Sequence, residues 1–188
     1  MKSFFIFICI VQLISCKSDD QIISEQINAA VVALANNEDK RAFLESIFEE
    51  HIEMRLKETE VWNEHGRHSS EYEDIVSDNR STDLILAEKL DVYMNTFGYP
   101  SIMQLGQKAA VISIAHITYV GDKVILEKNF NYFYDAYKFN DITADLYYEY
   151  LAKLLKPSGD ERRALFLDKN QAEVIEILQD RAKDKFKK

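Results

Sequence analysis

Residues 107–120 read QKAAVISIAHITYV, and the fold class turns on this stretch. Its centre, Ala109-Ala110-Val111-Ile112-Ser113-Ile114-Ala115, is rich in β-branched residues and suits a buried strand by propensity alone. Length decides against that. The segment between Gly106 and Gly121 is more than twice as long as an ordinary strand of about 5–6 residues. A run this long and this apolar is natural for a central helix buried on most of its faces. With Gly present 5 times and Pro 2 times in 188 residues, the chain also lacks the turn chemistry of a many-stranded sandwich. The expectation is a single all-α, bundle-like domain of about six to seven helices.

Outward from this segment, the three- and four-residue apolar spacing of helices recurs. On the N-terminal side it joins Ile23, Ile27, Ala30, Val31 and Leu34, pauses at Asn36-Asn37, and resumes with Phe43, Leu44, Ile47, Phe48, His51 and Ile52. From His65 to Ser77 apolar content falls to Tyr72, Ile75 and Val76, which predicts a loop with at most a short helical turn. Ser81 or Asp78 is then the expected cap of a helix through Leu84, Leu86, Ala87, Leu90, Tyr93, Met94 and Phe97, with Gly98 and Pro100 ending it. On the C-terminal side, residues 122–139 place Leu126, Phe130, Phe133, Tyr134 and Tyr137 on one stripe. Residues 142–156 carry Leu146, Tyr147, Tyr150, Leu151 and Leu154 before Pro157-Ser158-Gly159 stops them. Asp168 with Gln171 resembles a capping box ahead of a last helix through Val174, Ile175, Leu178, Ala182 and Phe186.

Asp78-Asn79, Gly98-Tyr99-Pro100, Gly106 and Ala115-His116 occur in an order that resembles an uncharacterised all-α bacterial domain family of unknown function. Its members open a helix with Asp…Asn, turn at Gly-Trp-Pro, and end an apolar helix in Gln-His after a glycine. The family's upstream Asp-Gln-x-x-Arg meets His51, Ile52 and Arg55 here, so only the arginine keeps its place. Its downstream Asp-Arg and Tyr-Gly-Thr-Gln elements have no counterpart after Tyr147. The resemblance spans about residues 40–120 and implies an all-α fold with a pocket around His116. It implies no activity.

Three groups of residues carry candidate chemistry. An imidazole in the most apolar segment needs a partner, so His116 is either a core histidine satisfied by a hydroxyl or carbonyl, or a general base oriented by a carboxylate. Asp78 and Arg55 are the pocket candidates that would accompany it. No nucleophile motif stands beside it, which favours the structural role. His65-Gly66-Arg67-His68 with Glu60 and Glu64 offers potential metal ligands, but a polar loop with Arg67 between the histidines is a poor cation site, and no metal or other cofactor is expected. The dense aromatics at 130–150 are mostly core stripe. Tyr132 and Tyr148 fall off that stripe and are the expected binding residues for a protein or glycan partner. Charges such as Glu49-Glu50, Glu53 and Asp160-Glu161-Arg162-Arg163 read as solvated helix faces.

The N-terminus carries an address. Lys2 precedes an apolar run from Phe4 to Ile14, the right length for a secretory signal and too short to cross a bilayer as a helix. It ends in Leu13-Ile14-Ser15-Cys16, which resembles the bacterial lipobox. That resemblance implies cleavage of residues 1–15 and acylation of Cys16; the alternative is an ordinary signal peptide that removes Cys16 or leaves it a free thiol. Lys17-Ser18-Asp19-Asp20 then resembles the acidic tether of Bacteroidetes outer-membrane lipoproteins, with the helical domain occupying 21–188. The other cysteine, Cys9, lies inside the signal, so the mature chain has no disulfide.

Formal charge is −9, and loss of Lys2 with the signal makes the remainder more negative. Such a domain is repelled by phosphate backbones, which excludes nucleic acid as a natural partner. It lacks a basic face for anionic lipid, so membrane contact would run through the acyl chains on Cys16. The expected function is a lipid-anchored envelope domain that binds or scaffolds; the rival is a small envelope enzyme with its pocket at His116.

Overall fold

The computed structural model describes residues 19–161, 165 and 169–186, and every regular element among them is a helix. In chain order these are α1 (Asp19–Val32), α2 (Asn37–His65), α3 (Ser70–Phe97), α4 (Ile102–Leu105), α5 (Gln107–Val120), α6 (Lys123–Lys128), α7 (Phe130–Lys138), α8 (Ala144–Leu155) and α9 (Gln171–Phe186). The chain forms the expected single all-α domain. Among the described residues, no helix is long and apolar enough to cross a membrane. Cys16 and Asp168 lie outside the described residues, as do residues 1–15. Asp19 and Asp20, read as tether, form the first residues of α1.

The deciding stretch is a helix, and it sits at the centre. α5 packs against α2, α3, α4, α6 and α8, and it buries Ala109, Ala110, Ile112, Ser113, Ile114, His116 and Ile117. Both bounding glycines hold a positive φ, +87° at Gly106 and +65° at Gly121. A side chain in that left-handed region is strained, so glycine lets the chain close α4, open α5, and leave it within single residues. The Tyr99 hydroxyl donates to the carbonyl of Ala110, tying the Gly98-Tyr99-Pro100 turn to the same helix.

α2 and α3 form a long hairpin across one side of α5. Asn36 caps α2, its side-chain oxygen accepting the N–H groups of Glu38 and Asp39 at 2.8 and 3.0 Å. The cap of α3 corrects the sequence reading. Residues 70–77 are helical, and the N-cap is Ser69, whose hydroxyl accepts from Tyr72 N–H at 3.1 Å. These first two turns lie mostly beyond the core, with only Tyr72 and Ile75 half-buried. Trp62 of α2 meets Tyr72 there at 6.3 Å between ring centroids. A helix end with little to bury shows no apolar stripe, so periodicity could not reveal it. Farther along α3, Leu86, Leu90 and Met94 are fully buried, each contributing about 1.5–3 kcal/mol by burial.

The segment 122–139, read as one helix, breaks at Asn129 into α6 and α7. Asn129 is fully buried, and its amide donates to Asp91 Oδ1 at 2.8 Å and to the carbonyl of Ile125 at 2.9 Å. This pairing to α3 holds Asn129 at φ −92°, ψ 4°, outside regular helix. With the single turn α4, the break accounts for two helices beyond the six to seven expected. α9 lies along α8. Its start is capped reciprocally by Asn170 and Glu173, each side chain accepting the other's backbone N–H at 3.1 Å.

Candidate functional site

Three helices direct polar side chains to one place beside α5. α2 supplies His51, Arg55 and Glu58; α3 supplies Asn79 and Asp83; α5 supplies His116 and Tyr119. Spacings of three and four put each set on a single helical face. Packing of the α2–α3 hairpin on α5 brings the three faces together. His116 is fully buried, and Asp83 and Glu58 are nearly so, at 7 % exposure each.

The hydrogen bonds assign the proton positions. His116 Nε2 lies 2.9 Å from the backbone carbonyl of Asp83, which can only accept, so Nε2 carries the hydrogen. In a neutral ring Nδ1 is then an acceptor, and the nitrogen 2.9 Å away is His51 Nδ1, which donates to it. His51 therefore keeps an unprotonated Nε2 on a half-buried ring. Burial, followed by the neighbouring His116 and Arg55, lowers the His51 pKa to about 4. Burial also lowers that of His116, against the opposing pull of the Asp83 carbonyl and carboxylate. Both imidazoles are neutral near pH 7.

Arg55 supplies the positive charge. Its Nη2 lies 3.0 Å from each carboxylate oxygen of Asp83, and Nη1 lies 3.1 Å from Glu58 Oε2. The Glu58 contact is an ion pair by distance but is poorly angled, for Nη1 and Nε are buried without a hydrogen-bond acceptor. The guanidinium carbon stands 4.1 Å from the centroid of the Tyr119 ring, a cation–π contact. Asn79 completes the group by donating to Glu58 Oε1 at 2.9 Å. Buried ion pairs contribute little net stability relative to apolar packing. A cluster of this density with depressed histidine pKa values is therefore a better marker of function than of stability.

Asp83 and Tyr119 form the part of this cluster that reaches a cleft of about 730 Å³ between α3 and the turn joining α5 to α6. Glu73, Arg80, Asp122, Lys123 and Lys156 stand around it. Several of these charges are already committed. Asp122 caps α6, Lys123 pairs with Glu127, and Asp83 holds Arg55. Arg80 and Lys156 have no ion pair among the described residues, which leaves the cleft two unspent cations in an acidic protein.

Of the residues predicted from sequence, His116 and Arg55 do meet, through Asp83. Asp78 does not join them. It is exposed on α3, more than one turn before Asp83, and the carboxylate beside His116 is Asp83 instead. The Asp78-Asn79 resemblance pointed to Asp78, and a motif shared in order does not say which carboxylate on α3 faces α5. Tyr132 and Tyr148 are half-buried and packed against the core, so neither ring projects as a free binding surface. Phe139, at 74 % exposure, is the ring in this half that does. His65 and His68 remain outside any cluster of metal-ligand type among the described residues; the one such group is His51, Asp83 and His116.

His51, Glu58, Asp83 and Tyr119 were not singled out from sequence as site residues. The signal for them exists: 51, 55 and 58 on one helix, 79 and 83 on another, 116 and 119 on a third. It becomes legible only once the three helices are known to be neighbours. Compared with known proteins, the chain matches no family, no curated protein and no solved structure.

Proposed function

We propose that this chain is a lipid-anchored protein of the bacterial cell envelope whose helical domain binds a small, anion-bearing molecule, such as an acidic sugar, in the cleft over Asp83 and Tyr119. The observation that carries the binding role is the pair of uncommitted cations, Arg80 and Lys156, facing a cleft whose floor is already paired to Arg55 and Glu58. A floor fixed before binding loses little freedom when a ligand arrives. The rival reading, an enzyme using His116 as a base, has less support. Both ring nitrogens of His116 are engaged, and the ring is sealed from the cleft. The anchoring role rests on Leu13-Ile14-Ser15-Cys16.

Isothermal titration of the purified protein with uronic acids, muramic acid and sugar phosphates tests the cleft. At least one probe should bind, and Arg80→Ala with Lys156→Ala should abolish it. The Tyr132→Ala, Tyr148→Ala double variant should bind as the parent does. Binding that survives loss of both cations overturns the cleft assignment. Mass spectrometry of the N-terminus from the native envelope should find Cys16 acylated; an unmodified start elsewhere overturns the anchor.

A further inference from the structure

We infer that His51, His116 and Asp83 form a binding site for a late first-row divalent metal ion, zinc foremost, set behind the cleft. Two imidazole nitrogens on one zinc at about 2.0–2.1 Å stand about 2.9–3.4 Å apart, depending on whether the angle is square or tetrahedral. The two Nδ1 atoms are already 2.9 Å apart, so the spacing suits an ion, and a tilt of the rings would turn both lone pairs from each other toward it. One carboxylate oxygen of Asp83 and one ring nitrogen from each histidine lie within 4.8 Å of one another. Closing them on one ion at about 2.0–2.2 Å takes side-chain rotation. Two nitrogens and one carboxylate oxygen are a donor set that zinc and its neighbours accept, with a further position left for water or ligand.

Three features of the surroundings fit an ion. His116 is oriented as metal-binding histidines are, its outer N–H fixed on a backbone carbonyl, here that of Asp83, so that Nδ1 is aimed inward. The buried charges are unbalanced toward the negative, because Asp83 and Glu58 face the single guanidinium of Arg55. Finally, Asp83 lines the cleft and the His51 ring is half-exposed, so two of the three ligands can be reached from outside the core. Arg55 is the evident competitor, since its Nη2 holds both Asp83 oxygens. Each oxygen has a second lone pair, and metal-bound carboxylates are commonly hydrogen-bonded in turn. On binding, the His51 proton moves from Nδ1 to Nε2 through solvent, the ion takes the two Nδ1 lone pairs, and no net proton is released.

The test uses the purified chain stripped with chelator and titrated with Zn²⁺ by calorimetry and with Co²⁺ by visible absorption. One ion should bind per chain, and the cobalt form should show the ligand-field bands of low coordination. His51→Gln sits on a half-exposed ring, so the variant should fold, with an unchanged far-ultraviolet circular dichroism spectrum, and bind zinc at least about 10-fold more weakly. Asp83→Asn should weaken it too, whereas His65→Ala with His68→Ala should not. Zn²⁺ should raise the melting temperature of the parent and leave that of His51→Gln unmoved. Failure of the parent to bind one ion, or binding that is lost with His65 and His68 and kept in His51→Gln, overturns the site. Arg80 and Lys156 are untouched by these variants, so this proposal and the cleft proposal fail separately.

Discussion

Two parts of the interior solve burial in opposite ways. Between α7 and α8, Phe133, Tyr137, Tyr147 and Tyr150 pack ring on ring, with Tyr137 and Tyr147 stacked at 4.6 Å and Phe133 set edge-on to Tyr150 at 4.7 Å. Between α2, α3 and α5, the same depth is filled by His51, Arg55, Glu58, Asp83 and His116, held by charge and hydrogen bonds. The aromatic part draws stability from removing apolar area from water, an effect that needs no particular partner. The polar part has no such margin. Its charges are largely stripped of water, and two carboxylates share the one guanidinium of Arg55. The first region should therefore tolerate loss of an unpartnered polar atom, and the second should not tolerate loss of a charged partner.

The largest test of that contrast removes one side of the Arg55–Asp83 pair. Asp83→Ala leaves the guanidinium, largely buried, with the poorly angled Glu58 contact and the Tyr119 ring, and should destabilise the fold by about 3 kcal/mol. Arg55→Ala should cost a similar amount. The double variant should cost about 1–3 kcal/mol less than the two singles added together, because removing both partners leaves no unpaired charge between them. Urea denaturation of all four proteins measures it. Additive losses would mean that the two residues do not act as a pair.

The contrast also explains what could be read before folding. Apolar burial leaves a periodic trace, so α2, α5, α8 and the core side of α3 stood out in the sequence at Leu44, Ile47, Leu86, Leu90, Tyr147 and Leu151. Where a helix has little to bury, as at 70–77, the trace vanishes and the start of α3 was misplaced. Which carboxylate of α3 meets α5 is a separate matter: Asp78 and Asp83 lie on different faces of the helix, and the packing selects Asp83. Asn129 is the same lesson from the other side: its side chain leaves the local helix to reach Asp91 on α3, a contact no local pattern encodes. His116 and Arg55 were visible as unusual residues, but their partners follow from the packing of three helices. Spacing within one helix cannot specify the neighbours of another.

A smaller effect, and one peculiar to the polar part, is its response to acid. The folded-state pKa of His51 lies near 4, below the unfolded value near 6.5, so between those limits the unfolded chain takes up a proton that the folded chain refuses. Stability from this source is fully present above pH 6.5 and is lost as pH falls toward 4. Because the ring is half-exposed and screened by water, the loss should be on the order of 1–2 kcal/mol. Carboxylates add their own acid dependence, so the measurement is a difference: urea unfolding of parent and His51→Gln at pH 7 and pH 4.5, in chelator. The variant should lose less on acidification. Equal losses would place the acid sensitivity in the carboxylates and return His51 to an ordinary surface histidine.

The smallest effect separates two tyrosines one helical turn apart on α8. Both rings are fully buried, and burial raises the pKa of both phenols. Their hydroxyls differ: that of Tyr150 donates to the carbonyl of Leu126 at 2.8 Å, while that of Tyr147 is buried with no hydrogen-bond partner. Tyr150→Phe deletes a bond that ties α8 to α6 and should cost about 1 kcal/mol. Tyr147→Phe deletes only a desolvated hydroxyl and keeps the stacked ring, so it should be neutral or stabilise by up to about 1 kcal/mol. Thermal melts of the two variants decide the matter. If Tyr147→Phe costs as much as Tyr150→Phe, that hydroxyl is satisfied in solution, and the aromatic region is then less indifferent to its polar atoms than the stacking suggests. If it costs nothing, the division holds at single-atom scale: among the stacked rings an oxygen without a partner is dispensable, and the hydrogen-bonded one a turn away is not.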